Sequence, residues 1–358
     1  MATPLTNPAV YLYGPGEAKI EESPYPTITD PHEVILRIAY VGVCGSDVHF
    51  WKHGGITNKV SHAQPLIMGH EASATVHSIG SSVASLKPGD RVAIEPGRPC
   101  RRCKPCKSGV YNLCTRMEFA ASPPYSHGTL RKFFTMPEDF CYKLPDSMGL
   151  DEGVLVEPLA VAVHAARLAD VKARQDVVVF GAGTVGLLSA AVASAMGARK
   201  VVSVDINEKR LAFAKDFAAT ETFFSPKGST AESIADSIKG QNSSLEGFDT
   251  VLECTGVEMC IDAGIQVLVS GGTCIQIGLG MPKVHFPIVA LSSKEITMKG
   301  CFRYGAGDYE MAMHLLESGK VNLKKLITGV KKFEEVTDAW EATARREGIK
   351  TLIKGPEE

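Results

Sequence analysis

Apolar positions along this chain follow two rhythms, and the change comes at about residue 160. Before it, short β-branched runs alternate with turn formers. Residues 34–43, 72–79 and 92–94 read as strands, and Lys87-Pro88-Gly89-Asp90 reads as a turn. Residues 1 to about 30 predict an opening strand and loops, and 128–143 is strand-like again. Few helical periods occur here. One apolar helical run within 151–169 carries Glu157, Pro158 and His164. Pro158 is tolerated in the opening turn, where no N–H donor is needed. From about 160 to 300, strand and helix alternate. Strands are predicted at 177–180, 201–204, 249–254 and 273–277, with helices at 187–196, 207–217 and 258–269 between them. That alternation implies a parallel sheet wrapped by helices. After about 301 come helices near 308–317 and 336–346 and a terminal strand at 351–354.

One stretch organises the second rhythm. The strand 177–180 runs into Gly181-Ala182-Gly183-Thr184-Val185-Gly186, then a helix, then a strand that ends on Asp205. Gly181 permits the turn off the strand, Gly183 lets a pyrophosphate approach the backbone, and Gly186 lets helix and strand pack closely. A helix N-terminus offers free N–H groups and partial positive charge to a diphosphate. Asp205, nineteen residues after Gly186, is placed to accept hydrogen bonds from an adenosine ribose. Its charge repels a 2′-phosphate, which favours NAD over NADP. The strand end at Ile277, Gly278 and Leu279 falls where a nicotinamide half belongs, beside the carboxyl ends of the sheet.

Composition narrows the function. At 358 residues the chain suggests two domains. A net charge of −2 argues against a nucleic-acid or acidic-membrane partner. No apolar run approaches ~18 residues, so no membrane span is expected. The N-terminus has no basic region before an apolar core, so a cytoplasmic location is expected.

Four of the ten cysteines crowd into Cys100, Cys103, Cys106 and Cys114, a C-x2-C-x2-C-x7-C pattern. Four thiolates at this spacing can close a tetrahedral zinc site that staples a loop and leaves no place for substrate. A redox dithiol and an iron–sulfur cluster are rivals, although the familiar cluster run has a shorter last gap. The basic residues Arg98, Arg101, Arg102, Lys104 and Lys107 are expected to steady the thiolates. Elsewhere Cys44, His70 and Glu71 offer S, N and O donors beside predicted strands, and Glu157 could complete or exchange into the set. Three protein ligands and an open position make a catalytic zinc pattern, which the spacing only suggests.

Six separated blocks then carry a family resemblance. They are Gly42-Val43-Cys44-Gly45-Ser46-Asp47-Val48-His49, Gly69-His70-Glu71-Ala72, Lys87 to Ala93, Glu157 to His164, the glycine turn, and Phe302-Arg303-Tyr304. Across nearly the whole length the chain resembles the zinc-dependent medium-chain dehydrogenases of the polyol type, close to fungal xylitol and sorbitol dehydrogenases. The resemblance implies an α/β fold. A GroES-like β-rich catalytic domain would span 1–159 with 301–358, and a Rossmann doubly wound parallel-sheet domain would span 160–300. It implies a catalytic zinc on Cys44, His70 and Glu71, with Glu157 as alternate ligand or substrate contact. Arg303 and Tyr304 would line the polyol site. Arg210 would sit at the adenosine end and Val185 under the pyrophosphate. Ile277, Gly278, Leu279, Cys301, Phe302 and Arg303 would hold the nicotinamide. Ser46 and His49 would pass the hydroxyl proton outward.

The implied reaction takes a secondary hydroxyl of a polyol to a ketone, with zinc polarising the oxygen and NAD accepting hydride. A homotetramer is the family's usual state. The complete cysteine set, often missing from animal sorbitol enzymes, suggests two zincs per chain. Phe50 stands where those enzymes commonly have Tyr. Residues 48–54 resemble arabinitol dehydrogenases, whereas 302–309 are more like xylitol dehydrogenases.

Overall fold

The computed structural model describes residues 6–55, 58–123, 126–241 and 246–357. Residues 1–5 of the N-terminal reading lie outside them. The chain forms two compact units, Met1–Glu157 with Leu323–Glu358, and Pro158–Asn322.

In the first unit, the β-branched strand Glu33–Gly42 is the hub. It pairs antiparallel with Glu71–Ile79, with Phe133–Pro137 and with Lys350–Lys354. Glu71–Ile79 pairs onward with Arg91–Ile94, and that strand with Cys141–Lys143. A three-stranded sheet is centred on Pro8–Gly14. Leu12, Leu36, Ile67, Met68, Ile94 and Met136 are fully buried between these elements. The C-terminal strand Lys350–Lys354 thus returns to the N-terminal unit, placing Leu352 opposite Gly42.

Between the strands stands the helix Gly45–His53, where the sequence pattern passes straight from strand to polar loop. Local bonding explains it. Cys44 is extended before the helix, and its N–H donates to Asp47 Oδ2 at 2.9 Å. Gly54, left-handed at φ 75°, closes the other end. Trp51 Nε1 donates to Glu341 at 2.7 Å, and the Trp51 and Trp340 rings lie 5.3 Å apart. The C-terminal helix Val336–Ala344 therefore anchors the helix that follows Cys44.

The second unit holds six parallel strands. Across the sheet they run Glu221–Phe224, Lys200–Asp205, Asp176–Phe180, Phe248–Glu253, Leu268–Gln276 and Thr297–Gly300. In order of appearance this is 3-2-1-4-5-6, a doubly wound sheet whose switch point lies beside Asp176–Phe180. Asp176–Phe180 is buried throughout, as a central parallel strand must be. The helix predicted over 258–269 stops at Val267, and the next strand begins at once at Leu268 rather than at 273.

Residues 301–322 lie in this unit, whereas the sequence reading joined them to the first. A buried carboxylate explains their place. Asp308, at the head of the helix Asp308–Glu317, takes His164 Nδ1 and the Gly305 N–H at 2.8 and 2.7 Å, and also bonds Arg167. Among the described residues no helix is long and apolar enough to cross a membrane.

Candidate active site and metal centres

Donor atoms of Cys44, His70 and Glu71 lie within 4.8 Å of one another. Each is set by a strand end or a helix start. Cys44 precedes Gly45–His53, so the positive end of that helix sits beside its sulfur. His70 and Glu71 sit at the head of Glu71–Ile79, where Glu71 pairs with Gly42. A Cβ on Gly42 would come within 2.2 Å of Glu71 Oε2, so only glycine leaves room for the carboxylate.

The surroundings of these donors call for a cation. Asp47 is buried, and its Oδ1 accepts no hydrogen bond from the described residues while facing His70 Nδ1 at 3.8 Å. Burial pulls the His70 imidazole down, but Asp47, Cys44 and Glu157 outweigh it and push it up to about 10. Metal-binding histidines are commonly backed by a carboxylate in this way. Zinc accepts S, N and O donors in one tetrahedral set, so these residues fit it.

A second cluster gathers Cys100, Cys103, Cys106 and Cys114, also within 4.8 Å. Cys100 Sγ lies 4.0 Å and Cys103 Sγ 3.3 Å from Cys106 Sγ. The edge of a tetrahedron with Zn–S near 2.3 Å is ~3.8 Å, so four thiolates suit one ion. Backbone N–H groups of Arg102 and Cys103 hold the Cys100 thiol down to about 5. The side chains of Arg98 and Arg101 are turned away from the sulfurs, although the Arg101 backbone N–H bonds Cys106. Arg98 pairs with Glu33 and Arg101 with Asp139, because each has a nearer carboxylate. Arg116, which the spacing did not single out, donates to Cys100 Sγ at 3.4 Å.

In the second unit the three glycines have three different reasons. Gly181 is left-handed at φ 96°. A Cβ on Gly186 would lie 1.8 Å from Gly181 O. At Gly183 it would meet only Arg210 Nη1 at 3.9 Å, which leaves open space above the turn. Asp205 binds Ala182 N through Oδ2 at 2.7 Å and Asn207 N through Oδ1 at 2.9 Å, so it braces the glycine turn. Val185 opens the helix Thr184–Ala195. This cradle fits a dinucleotide's diphosphate.

Ile277, Gly278 and Leu279 follow the strand Leu268–Gln276, and Leu279 is exposed. Cys301 is half-buried; its N–H donates to Gln276 O at 2.8 Å. Arg303 is left-handed at φ 56°, and its guanidinium lies over the Phe302 ring at 4.6 Å. Tyr304 is buried, edge-on to Tyr309 at 5.0 Å.

Comparison with known proteins decides the family. Residues 30–146 match the alcohol dehydrogenase GroES-like domain, and 184–318 match the zinc-binding dehydrogenase family. The probable D-xylulose reductase A of Aspergillus clavatus is 52% identical over 358 residues, covering 99% of each chain. The D-xylulose reductase A of Aspergillus niger is 51% identical over 349 residues, 98% of this chain and 97% of its own. The chain belongs to the zinc-dependent medium-chain polyol dehydrogenases. Like its family, this dehydrogenase is an oxidoreductase acting on CH–OH groups, with zinc and a nicotinamide dinucleotide as cofactors. Among solved structures it is similar to an oxidoreductase/dehydrogenase of unknown specificity from Escherichia coli, with TM-score 0.92, 34% identity, and 99% and 100% coverage. It also resembles galactitol-1-phosphate dehydrogenase from Escherichia coli, with TM-score 0.87, 29% identity, and 97% and 99% coverage.

Sequence reasoning missed three parts of the dehydrogenase's sites. Lys350 Nζ reaches both Glu71 oxygens at 2.9 and 2.6 Å and Val43 O at 3.1 Å, fully buried. No local pattern could have pointed to it. Asp47 had a signal, an acid three residues after Cys44 where a first helical turn accepts one. Glu253 also escaped notice. Its buried carboxylate accepts from Thr255 N and Gly256 N at 2.8 Å and Gln276 Nε2 at 2.6 Å, tying together the two loops beyond its own strand and the next.

Proposed function

We propose that this dehydrogenase interconverts a polyol and its 2-ketose with NAD, xylitol and D-xylulose being the favoured pair. The observation that carries the reading is the Cys44, His70 and Glu71 donor set, backed by Asp47 and Lys350 and sited in a chain similar end to end to D-xylulose reductases. Cys44, His70 and Glu71 would hold the catalytic zinc, with Glu157 as alternate ligand or substrate contact. Cys100, Cys103, Cys106 and Cys114 would hold the structural zinc. When bound, the catalytic ion supplies Lewis acidity toward an alcohol oxygen and the nicotinamide supplies a hydride acceptor.

The chain's own residues supply the rest. Ser46 and His49, three apart on the helix Gly45–His53, share one face, as a path for the hydroxyl proton requires. Gly181, Gly183 and Gly186 would receive the diphosphate, with Val185 beneath it and Arg210 near the adenosine end. Asp205 would bind the ribose and disfavour a 2′-phosphate. Ile277, Gly278, Leu279, Cys301, Phe302 and Arg303 would hold the nicotinamide, and Arg303 and Tyr304 the polyol.

L-Arabinitol is the second reading, supported by residues 48–54. The test is NADH production at saturating NAD across pentitols and hexitols, with NADP in the same run. Xylitol is expected to show the highest kcat/KM, with NADP far behind NAD. Preference for L-arabinitol would select the second reading, and no oxidation of any polyol would end both.

A further inference from the structure

A cavity of about 240 Å³ lies in the first unit, lined by Arg98, Glu118, Ser126, His127, Arg131 and Thr135 among others. None of its lining residues is a donor at either metal centre. Two cations face it, and they are not equivalent. Arg98 is ion-paired with Glu33 at 3.0 Å. Arg131 has no such partner among the described residues. Its Nε is closed off from solvent and makes no hydrogen bond to the described residues, and its guanidinium lies over the Phe134 ring at 5.0 Å. Burial pulls the guanidinium down to about 10; Tyr11 opposes it, and the charge of Arg98 adds a lesser push in the same direction as burial. Arg131 is half-buried, and a guanidinium with its Nε closed off and no carboxylate beside it among the described residues is costly unless something else answers it. Glu118 is the carboxylate on the lining, and it is exposed to solvent.

The neighbouring donors point the same way. Ile67 N–H donates to His127 Nδ1 at 3.1 Å, which leaves the ring's proton on Nε2. His127 is exposed overall, but partial desolvation of the ring and the charge of Arg131 both pull its imidazole down, which favours the neutral form that donates from Nε2. Ser126 and Thr135 add hydroxyls. A guanidinium fork, a fixed imidazole N–H and hydroxyls form a donor set for an oxyanion. The volume holds several waters, since one takes ~30 Å³ in the liquid, and falls below the ~300 Å³ at which drug-sized pockets begin.

We propose that this cavity binds a small oxyanion, phosphate or the phosphate group of a small metabolite, through Arg131 and His127. The test uses the zinc-loaded full chain and calorimetric titration with inorganic phosphate, then glycerol phosphate, at constant ionic strength. Wild type is expected to bind one anion per chain, and Arg131→Met to bind it about tenfold or more weakly. Tighter binding of glycerol phosphate than of inorganic phosphate would identify a metabolite as the source, and the reverse order the free ion. In wild type alone, phosphate should slow phenylglyoxal modification of Arg131, read by peptide mass spectrometry. That arm stands even if the variant fails to fold. Equal binding by both proteins, or no protection of Arg131, overturns the site. So does a lower native mass in Arg131→Met with no phosphate binding in wild type, which would give the guanidinium to a partner chain.

Discussion

Lys350 and Glu71 bury opposite charges against each other beside the metal donors. Burial alone would pull the Lys350 ammonium down, but Glu71 outweighs it and holds it raised. Removing one partner of such a pair leaves a buried charge unanswered, at a cost of about 3 to 5 kcal/mol. A bound zinc would answer the Glu71 charge instead. Lys350→Met is therefore expected to destabilise the metal-free protein by about 3 kcal/mol and the zinc-loaded protein by clearly less. Denaturant melts with and without zinc check this, and equal losses would mean that Glu71 does not face the ion. Glu138 offers a pH test away from the metals. Ser85 Oγ, Ser85 N, His32 and Ala84 N bond its carboxylate and hold it down to about 2, against the opposing effect of burial. An unfolded glutamate titrates near ~4.3. The folded value is the lower one, so the stabilisation is present above ~4.3 and lost as pH falls toward 2. Glu138→Gln should cost about 1 kcal/mol at neutral pH, discounted for solvent, and nothing near pH 2. Melting curves across that range read the convergence.

At the scale of elements, the glycine turn separates folding from binding. Gly186 touches the backbone of Gly181, so Gly186→Ala must displace the helix Thr184–Ala195 from its strand. Its melting temperature is expected to fall by several degrees, for a loss of about 2 kcal/mol. Gly183→Ala meets nothing closer than the flexible end of Arg210, so its melting temperature should hold. Its NADH affinity should fall by about tenfold or more if the diphosphate sits where proposed, because the methyl would occupy that space. NADH fluorescence titration beside calorimetry distinguishes the two, and an unchanged affinity in Gly183→Ala would move the diphosphate elsewhere. The cysteine lobe gives a second element-scale test. Cys100→Ser should reduce zinc from two to one per chain by elemental analysis, since a tetrahedral thiolate site loses a ligand and its closure. Two zincs retained in the variant would contradict a structural ion there.

For the whole molecule, the decisive feature is the return of the C-terminal segment. Lys350–Lys354 pairs with Glu33–Gly42, and the helix Val336–Ala344 carries Trp340 and Glu341 to the helix after Cys44. These contacts span some three hundred residues, and one of them delivers Lys350 to the metal site. In the second unit, the same long-range logic holds residues 301–308. Asp308 is pinned by His164 and Arg167, which are more than 135 positions earlier.

Local chemistry made much of this enzyme readable before any coordinates. Strand-turn-helix-strand periodicity, three glycines with distinct steric needs and a terminal acid defined the doubly wound unit, because those signals lie within thirty residues of one another. The four cysteines were equally plain, since short loops gather their own ligands. Tertiary structure alone decided what answers charge at a distance. Lys350 on Glu71, Asp308 on His164, the seating of the helix Gly45–His53, and Arg131 over the Phe134 ring depend on which strands lie side by side. Burial makes those partners matter, and neither burial nor pairing is written in the residues next to them.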